Sequence, residues 1–337
     1  MTSAFITVLT NTKYLPGALT LGHSLRDFET RHKLAILVAG VSKDAIKLLK
    51  DVFDDVIDVQ PILSTSLEQL NDLGRVDLVA TYTKILIWKQ TQYDKIIYLD
   101  SDVLPLASLD SFFDVEIDEE YPIAASPDAG WPDIFNSGVF ITIPANDTFN
   151  ELMKLIQTSV SPSFDGGDQG LLNEFFLGSW KRLPFTFNVT PTAGYQYVPA
   201  FLRFKNDIKN IHFIGLNKPW LTRDSSIFAH GSFGKGYDIM TEFHQTWWSV
   251  FNKHYIGEIA GEIYQLSNTK SIEDVSDQGE GHLLDIPQLT NQWDKLTISD
   301  KGENDVDETQ EIPAIFPWEG KRSQAERVFD QSTDFHV

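Results

Sequence analysis

No cysteine occurs among the 337 residues, so a disulfide framework, a thiol nucleophile and a Cys-ligated zinc are all excluded. Basic residues are scarce: 27 Lys and Arg face 48 Asp and Glu, for a net charge of −21. Nucleic acids and anionic membranes attract basic surfaces, so neither is expected as a partner. A phosphate-bearing ligand stays open, because a bound cation inverts the charge of a site locally. Long apolar runs are missing too. No stretch is long enough to span a bilayer, and the opening MTSAFITVLTNTKY has no basic stretch leading into a long apolar one. The expectation is a soluble, cytoplasmic protein in which the sequons at Asn146 and Asn188 stay unused. Internal repeats are also lacking. What the chain does have is 42% apolar residues and eight Trp, ample for a core.

The most informative stretch is 95–104, KIIYLDSDVL. Its apolar, β-branched and aromatic start reads as a strand buried on both faces, where apolar/polar alternation disappears. The strand ends in Asp100-Ser101-Asp102. Open α/β sheets bind ligands at the carboxyl ends of their strands. Residues at i and i+2 of extended chain point the same way, so both carboxylates can face one ligand. Such oxygens suit a hard divalent cation, with substrate phosphates completing its shell. A bare Asp-x-Asp is also a common polar turn, so the surroundings must decide.

Taken in order, residues 4–9 read as a strand, 14–27 as a helix and 34–39 as a second strand. Ser42 is a candidate N-cap for a helix through Val52, and 55–59 looks like a third strand. Residues 64–74 are polar and read as a loop or lid. Residues 81–89 read as a helix feeding the strand before Asp100. A helical turn is expected at 109–113, strands at 123–126 and 138–143, and helices at 149–157 and 168–176. A last strand is expected at 211–215 and an aromatic helix at 246–255. This alternation predicts an α/β fold. From about Asn268 the composition shifts: residues 268–311 hold twelve Asp and Glu against three Lys. That is the pattern of an acidic, solvated linker. The final stretch regains Phe316, Trp318, Val328 and Phe329, either as a docking peptide or as a piece that folds back.

Several residues carry candidate chemistry. His212, at the end of a predicted strand, is a third candidate metal ligand. Imidazole suits Mn²⁺ whereas Mg²⁺ prefers oxygen, so an Asp, Asp, His set favours Mn²⁺, with Mg²⁺ as a possible substitute. Gly215 lets backbone approach a phosphate, and Lys218 supplies a point charge for it. In Asp165-Gly-Gly-Asp168-Gln169, negative charge suits a sugar carbon that becomes oxocarbenium-like. Asp168 is the candidate for that role, with Gln169 bonding sugar hydroxyls, whereas Asp165 reads as a helix cap. Asn136 and Ser137, just ahead of a predicted strand, offer an amide and a hydroxyl to a sugar. Asp128 and Asp133 lie close by in sequence. Arg75 is a further cation ahead of the Asp pair. Lys84 lies in an otherwise apolar helix, where a charge snorkels, pairs with an Asp or meets a diphosphate.

These pieces together resemble the glycogenins, self-glucosylating primers of glycogen synthesis within glycosyltransferase family 8. The stretches that carry the resemblance are LTNTKYLPGALTLGHSL, TYTKILIWKQTQYDKIIYLDSDVLPL, PDAGWPDIFNSGVF, SFDGGDQGLLN, YQYVPAF and HFIGLNKPW. The ending FPWEGKRSQAERVF resembles the tail of fungal members. The resemblance implies a GT-A type, Rossmann-like single domain with a mixed central sheet over 1–265. An acidic linker over 266–311 and a tail over 312–337 would follow it. It implies UDP-glucose as donor, Mn²⁺ as cofactor and retention at the anomeric carbon. By position, Asp100, Asp102 and His212 would hold the metal. Leu9, Thr10, Tyr14, Arg75 and Lys84 would contact uridine or diphosphate, with Ser101 beside them. Asp128, Asn136, Ser137, Asp168 and Gln169 would surround the glucose, and Gly215 and Lys218 would hold the β-phosphate. Asp168, Lys84 and Gln169 are the candidate catalytic residues. The acceptor tyrosine falls on Tyr195, with Tyr197 as a second candidate. A homodimer, an α-1,4-glucan product, association with glycogen particles and docking of glycogen synthase on the tail are implied in the same way.

Two other readings remain open at this point. One is a same-fold transferase acting on a separate acceptor such as a lipid or a cyclitol. The other is a non-catalytic glucan-binding scaffold that recruits a synthase.

Overall fold

The computed structural model describes residues 2–223 and 236–268, all within the unit Met1–Gly281. The tail over 312–337, and the acidic linker beyond Asn268, lie outside the described residues. The chain builds β1 (Ser3–Leu9), α1 (Leu15–Asp27), β2 (Lys33–Val38), α2 (Lys43–Lys50), β3 (Asp55–Asp58) and α3 (Leu67–Asp72). A 3₁₀ helix at Thr81–Lys89 leads into β4 (Lys95–Leu99), β5 (Val103–Pro105), β6 (Ile123–Pro127) and β7 (Phe135–Thr142). Then come α4 (Asn146–Thr158), α5 (Asp168–Phe175), β8 (Trp180–Arg182), α6 (Ala193–Gln196) and α7 (Val198–Phe204). The remaining elements are β9 (Asn210–His212), α8 (Gly236–His254) and α9 (Glu258–Ser267).

Seven strands form one sheet in the order β3-β2-β1-β4-β7-β6-β8. The three pairings among β3, β2, β1 and β4 are parallel, and β7 runs antiparallel to both β4 and β6, so the sheet is mixed. The chain winds outward from β1 to β3 and then returns to the other side of β1 as β4. The carboxyl ends of β1 and β4 therefore flank a topological switch point, where such sheets open a ligand crevice. Asp100-Ser101-Asp102 leaves β4 at that point.

Both faces of the sheet are covered, which explains the unbroken apolar runs. Phe5 and Leu9 of β1, with Ile97 and Leu99 of β4, pack toward α1, α2, α8 and α9. Their neighbours Ala4, Ile6, Ile96 and Tyr98 pack on the opposite face with Trp88, Leu152 and Leu171. The period of two is the strand's own. Each large side chain buried in this way contributes about 1.5–3 kcal/mol.

Local signals set several boundaries. Ser42 caps α2 by accepting the Ala45 N–H at 3.3 Å. Gly17 of α1 lies so close to the Asp-turn that a Cβ there would stand 2.4 Å from the Ser101 carbonyl oxygen. Only glycine lets the helix approach that backbone.

The structure corrects four expectations. Residues 64–74 are not wholly a loop, since α3 forms there around the fully buried Leu70, which has mostly polar neighbours. The stretch 81–89 is a 3₁₀ helix, so Thr81, Lys84 and Ile87 fall on one row at three-residue spacing. Asn136 and Ser137 lie inside β7, not ahead of it, because pairing with β6 extends that strand back to Phe135. The last strand covers Asn210–His212 and not 211–215, so His212 ends it, and β9 pairs with β5 in a separate two-stranded sheet, with His212 opposite Val103.

Candidate active site

The Asp-turn is held from two sides. The Asp100 N–H donates to the Gly138 carbonyl of β7 at 2.8 Å, and the Phe213 N–H donates to the Asp102 carbonyl at 3.0 Å. These bonds bring the end of β4, the middle of β7 and the end of β9 to one place. Asp100, Asp102 and His212 each offer a ligand atom there, all within 4.8 Å of one another. Asp102 and His212 are buried and Asp100 is half-buried.

Each carboxylate has one oxygen tied down and the other turned to His212. Asp100 Oδ1 accepts from the Tyr98 hydroxyl at 2.5 Å and lies 3.1 Å from Lys84 Nζ. Its Oδ2 lies 3.8 Å from His212 Nε2. Asp102 Oδ2 takes the Lys218 ammonium, and its Oδ1 lies 3.2 Å from the same Nε2. Three electron-pair donors thus converge on one point, which fits a divalent cation held by two oxygens and one imidazole nitrogen. Burial works against the charged form of Asp102. The Lys218 ammonium beside it outweighs that and holds its carboxyl well below the usual carboxylate range. The Tyr98 phenol is raised well above its ordinary value, first by burial and then by Asp100, so it stays a hydrogen-bond donor.

Lys84 links this centre to a second polar cluster. Its ammonium pairs with Asp100 and Asp168, donates to the Ser137 carbonyl at 3.2 Å, and stands 4.6 Å from the centre of the Tyr98 ring. Burial lowers its proton affinity, yet Asp100 and Asp168 more than offset that and raise it above the ordinary lysine value. Asp168 Oδ2 also accepts from the Ser137 hydroxyl at 2.7 Å. Gln169 accepts the Ser137 N–H at 3.2 Å through Oε1 and donates through Nε2 to Asp128 Oδ2 at 2.6 Å. Asn136 donates to that same Asp128 oxygen at 3.2 Å. Asp165 takes a structural position: its Oδ1 accepts the N–H groups of Gly167 at 2.8 Å and Gly170 at 3.0 Å at the start of α5.

The two clusters share one cavity of about 460 Å³. Leu9, Thr10, Tyr14, Arg75 and Lys84 line it, with Asp100, Ser101, Asp102 and His212. So do Asp128, Asn136, Ser137, Asp168, Gln169, Gly215 and Lys218. Every donor-contact candidate drawn from the sequence therefore faces the same space. Arg75 is paired there with Asp77 at 2.9 Å. Of the two acceptor candidates, Tyr197 stands apart. Tyr197 is 69% exposed between α6 and α7 and is not among the cavity's lining residues. Tyr195 has its backbone in α6, and its side chain lies outside the described part of the chain.

Some lining residues escaped the sequence reading. Asn11, Thr81, Tyr98 and Gly138 all face the cavity. Asn11 and Thr81 belong to quoted motifs, and Tyr98 lies two residues before Asp100 on the same side of the strand. Asn188, read only as an unused sequon, is buried against His212 with Nδ1···Oδ1 at 3.1 Å.

The family model described as Glycosyl transferase family 8 matches residues 5–224. Glycogenin of Neurospora crassa is 41% identical over 255 residues, covering 75% of this chain and 35% of that protein. Glycogenin-1 of Oryctolagus cuniculus is 40% identical over 286 residues, covering 81% of this chain and 83% of that one. The apo form of the glycosyltransferase GlyE of Streptococcus pneumoniae aligns with a TM-score of 0.52 at 19% identity, over 75% of this chain and 63% of that one. That likeness shows the fold, the GT-A arrangement with its mixed central sheet.

Proposed function

The chain belongs to glycosyl transferase family 8, and on that premise we propose that it transfers glucose from UDP-glucose to its own tyrosine. It then extends that residue into an α-1,4-glucan primer for glycogen synthase. The observation that carries this reading is the single cavity that joins the Asp100, Asp102 and His212 centre to the Asp168 and Gln169 cluster. A cation and a diphosphate suit the first, and a sugar suits the second.

In this reading Lys218 and Lys84 supply positive charge to the diphosphate, while Gly215 leaves room for it. Asp128, Asn136, Ser137 and Gln169 hold the glucose hydroxyls. Asp168 stands beside the anomeric carbon, where its charge favours an oxocarbenium-like transition state. Mn²⁺ held by Asp100, Asp102 and His212 would supply Lewis-acid stabilisation of the charge that grows on the leaving diphosphate. The bond from the anomeric carbon to the phosphate oxygen breaks, and a bond to the phenolic oxygen forms on the same face. The phenolic proton passes to the departing phosphate oxygen or to Asp168.

The exposed position of Tyr197 supports transfer between the subunits of a homodimer. The tail over 312–337, tethered by the acidic linker, is the proposed docking peptide for glycogen synthase, with a cytoplasmic location at the glycogen particle. Release of UDP from UDP-glucose tests the chemistry. Mn²⁺-dependent release that a chelator abolishes is expected. No release from the folded chain would turn the reading toward a glucan-binding scaffold.

A further inference from the structure

A chain of hydrogen bonds runs from the cation centre to the sugar-facing residues, and its polarity is forced. The Gly138 N–H, a backbone donor, points at Asn136 Oδ1 at 3.0 Å. That fixes Asn136, whose Nδ2 then donates to the Asp128 carboxylate at 3.2 Å, a group able only to accept when ionised. Asn188 meets the same Asn136 Oδ1 at 2.8 Å, so it must present its amide Nδ2 there. Its other end, the carbonyl Oδ1, is therefore the atom facing His212 Nδ1 at 3.1 Å. A carbonyl accepts, so Nδ1 must carry the hydrogen. Nε2, the nitrogen that faces both carboxylates, is then the one that can give its lone pair to a cation.

Asn188 is held where it can do this. It is 3% exposed, and its N–H donates to the Phe185 carbonyl at 3.0 Å. The next residue pairs with β9: the Val189 N–H donates to the Asn210 carbonyl at 3.1 Å, and the His212 N–H donates to the Val189 carbonyl at 2.8 Å. Gly138 closes the other side of the ring, since a Cβ there would lie 2.1 Å from His212 Cε1. The imidazole is held between Asn188 and the backbone of Gly138.

We infer that Asn188 is a positioning residue for the cation centre, fixing His212 as its Nδ1–H tautomer and coupling it to Asn136 on the sugar side. Outer partners that orient a ligating histidine change metal affinity by roughly 10–100-fold when removed. Asn188 touches neither cation nor sugar in this account. Its effect passes through His212 and Asn136. The inference rests on the cation reading of the Asp100, Asp102 and His212 centre.

The test uses the full chain, free of metal, with ¹⁵N-labelled histidine. Long-range ¹H–¹⁵N spectra distinguish the two neutral tautomers, and the His212 signals are identified by their loss in His212→Gln. The parent chain is expected to carry a hydrogen on Nδ1. Asn188→Leu, close in size but without an acceptor, is expected to mix the tautomers. It should also weaken Mn²⁺ binding at least tenfold, read as free Mn²⁺ by electron spin resonance without donor. Asn188→Asp, which keeps an acceptor, is expected to retain the tautomer. A parent chain whose His212 Nδ1 carries no hydrogen overturns the inference, whether or not the Leu variant folds. So does a Leu variant that melts earlier yet keeps the parent tautomer and Mn²⁺ affinity. If the parent itself binds no Mn²⁺, the cation reading fails, and the tautomer of the metal-free chain still reports on Asn188 alone.

Discussion

Gly138 and His212 are packed so closely that no side chain fits between them: a Cβ on Gly138 would meet His212 Cε1 at 2.1 Å and Nδ1 at 2.6 Å. Neither partner has room to yield. Gly138 is locked in β7 by the bond from the Asp100 N–H, and His212 is locked by Asn188. Gly138→Ala should therefore destabilise the fold by about 1–3 kcal/mol through overpacking. It should also displace the imidazole from the two carboxylates and weaken Mn²⁺ binding. Urea unfolding and Mn²⁺ titration check this together. An alanine variant with parental stability and affinity would show that the ring moves freely.

Lys84 is the buried cation shared by Asp100 and Asp168. Lys84→Met keeps most of the side-chain volume but leaves two carboxylates facing each other without a counter-charge. Breaking a buried pair by removing one partner costs about 3–5 kcal/mol. A loss of that size in denaturant unfolding is expected, together with loss of donor turnover. A variant as stable as the parent would mean that Asp100 and Asp168 do not depend on this lysine.

A pH effect on stability is expected at the contact between α1 and α8, away from the cavity. His23 stacks on His254 at 3.8 Å and shares a hydrogen bond with the Tyr255 hydroxyl at 2.8 Å. Burial, then the neighbouring His254, lowers its pKa to about 4 from 6.5, with Asp27 opposing and Lys253 and Arg26 assisting. The folded value lies below the unfolded one, so the unfolded chain takes up the proton first as the pH falls. This contribution to stability is complete above about pH 6.5, declines toward about pH 4, and changes no further below that. Its size is about 1–2 kcal/mol once solvent screening at this half-buried site is allowed for. The difference between the parent and His23→Gln stability curves should show that slope. Parallel curves between pH 7 and pH 4 would contradict it.

What the sequence made legible follows from what decides each feature. The strand ending at Asp100 was readable because burial on both faces leaves an unbroken apolar run. The Ser42 cap was readable because its hydrogen bond is local. Leu70 is the one fully buried residue of α3, and the polar residues around it disguised that helix as a loop. Asn136 and Ser137 are poor strand formers, and their place in β7 is decided by neighbouring strands. The role of Asn188 depends on residues 24 and 52 positions away in sequence, and no local pattern announces it. The cavity's members were largely foreseeable because most lie in a few short motifs. Their mutual polarity needed the folded chain.

The most direct test of the central claim is the intact mass of the full chain after incubation with UDP-glucose and Mn²⁺, without added acceptor. The account predicts a ladder of added glucose units, absent with a chelator and with Asp102→Asn. The ladder should be lost when Tyr195→Phe is combined with Tyr197→Phe. A chain that releases UDP in a Mn²⁺-dependent way yet gains no mass would contradict self-glucosylation and place the acceptor on another molecule.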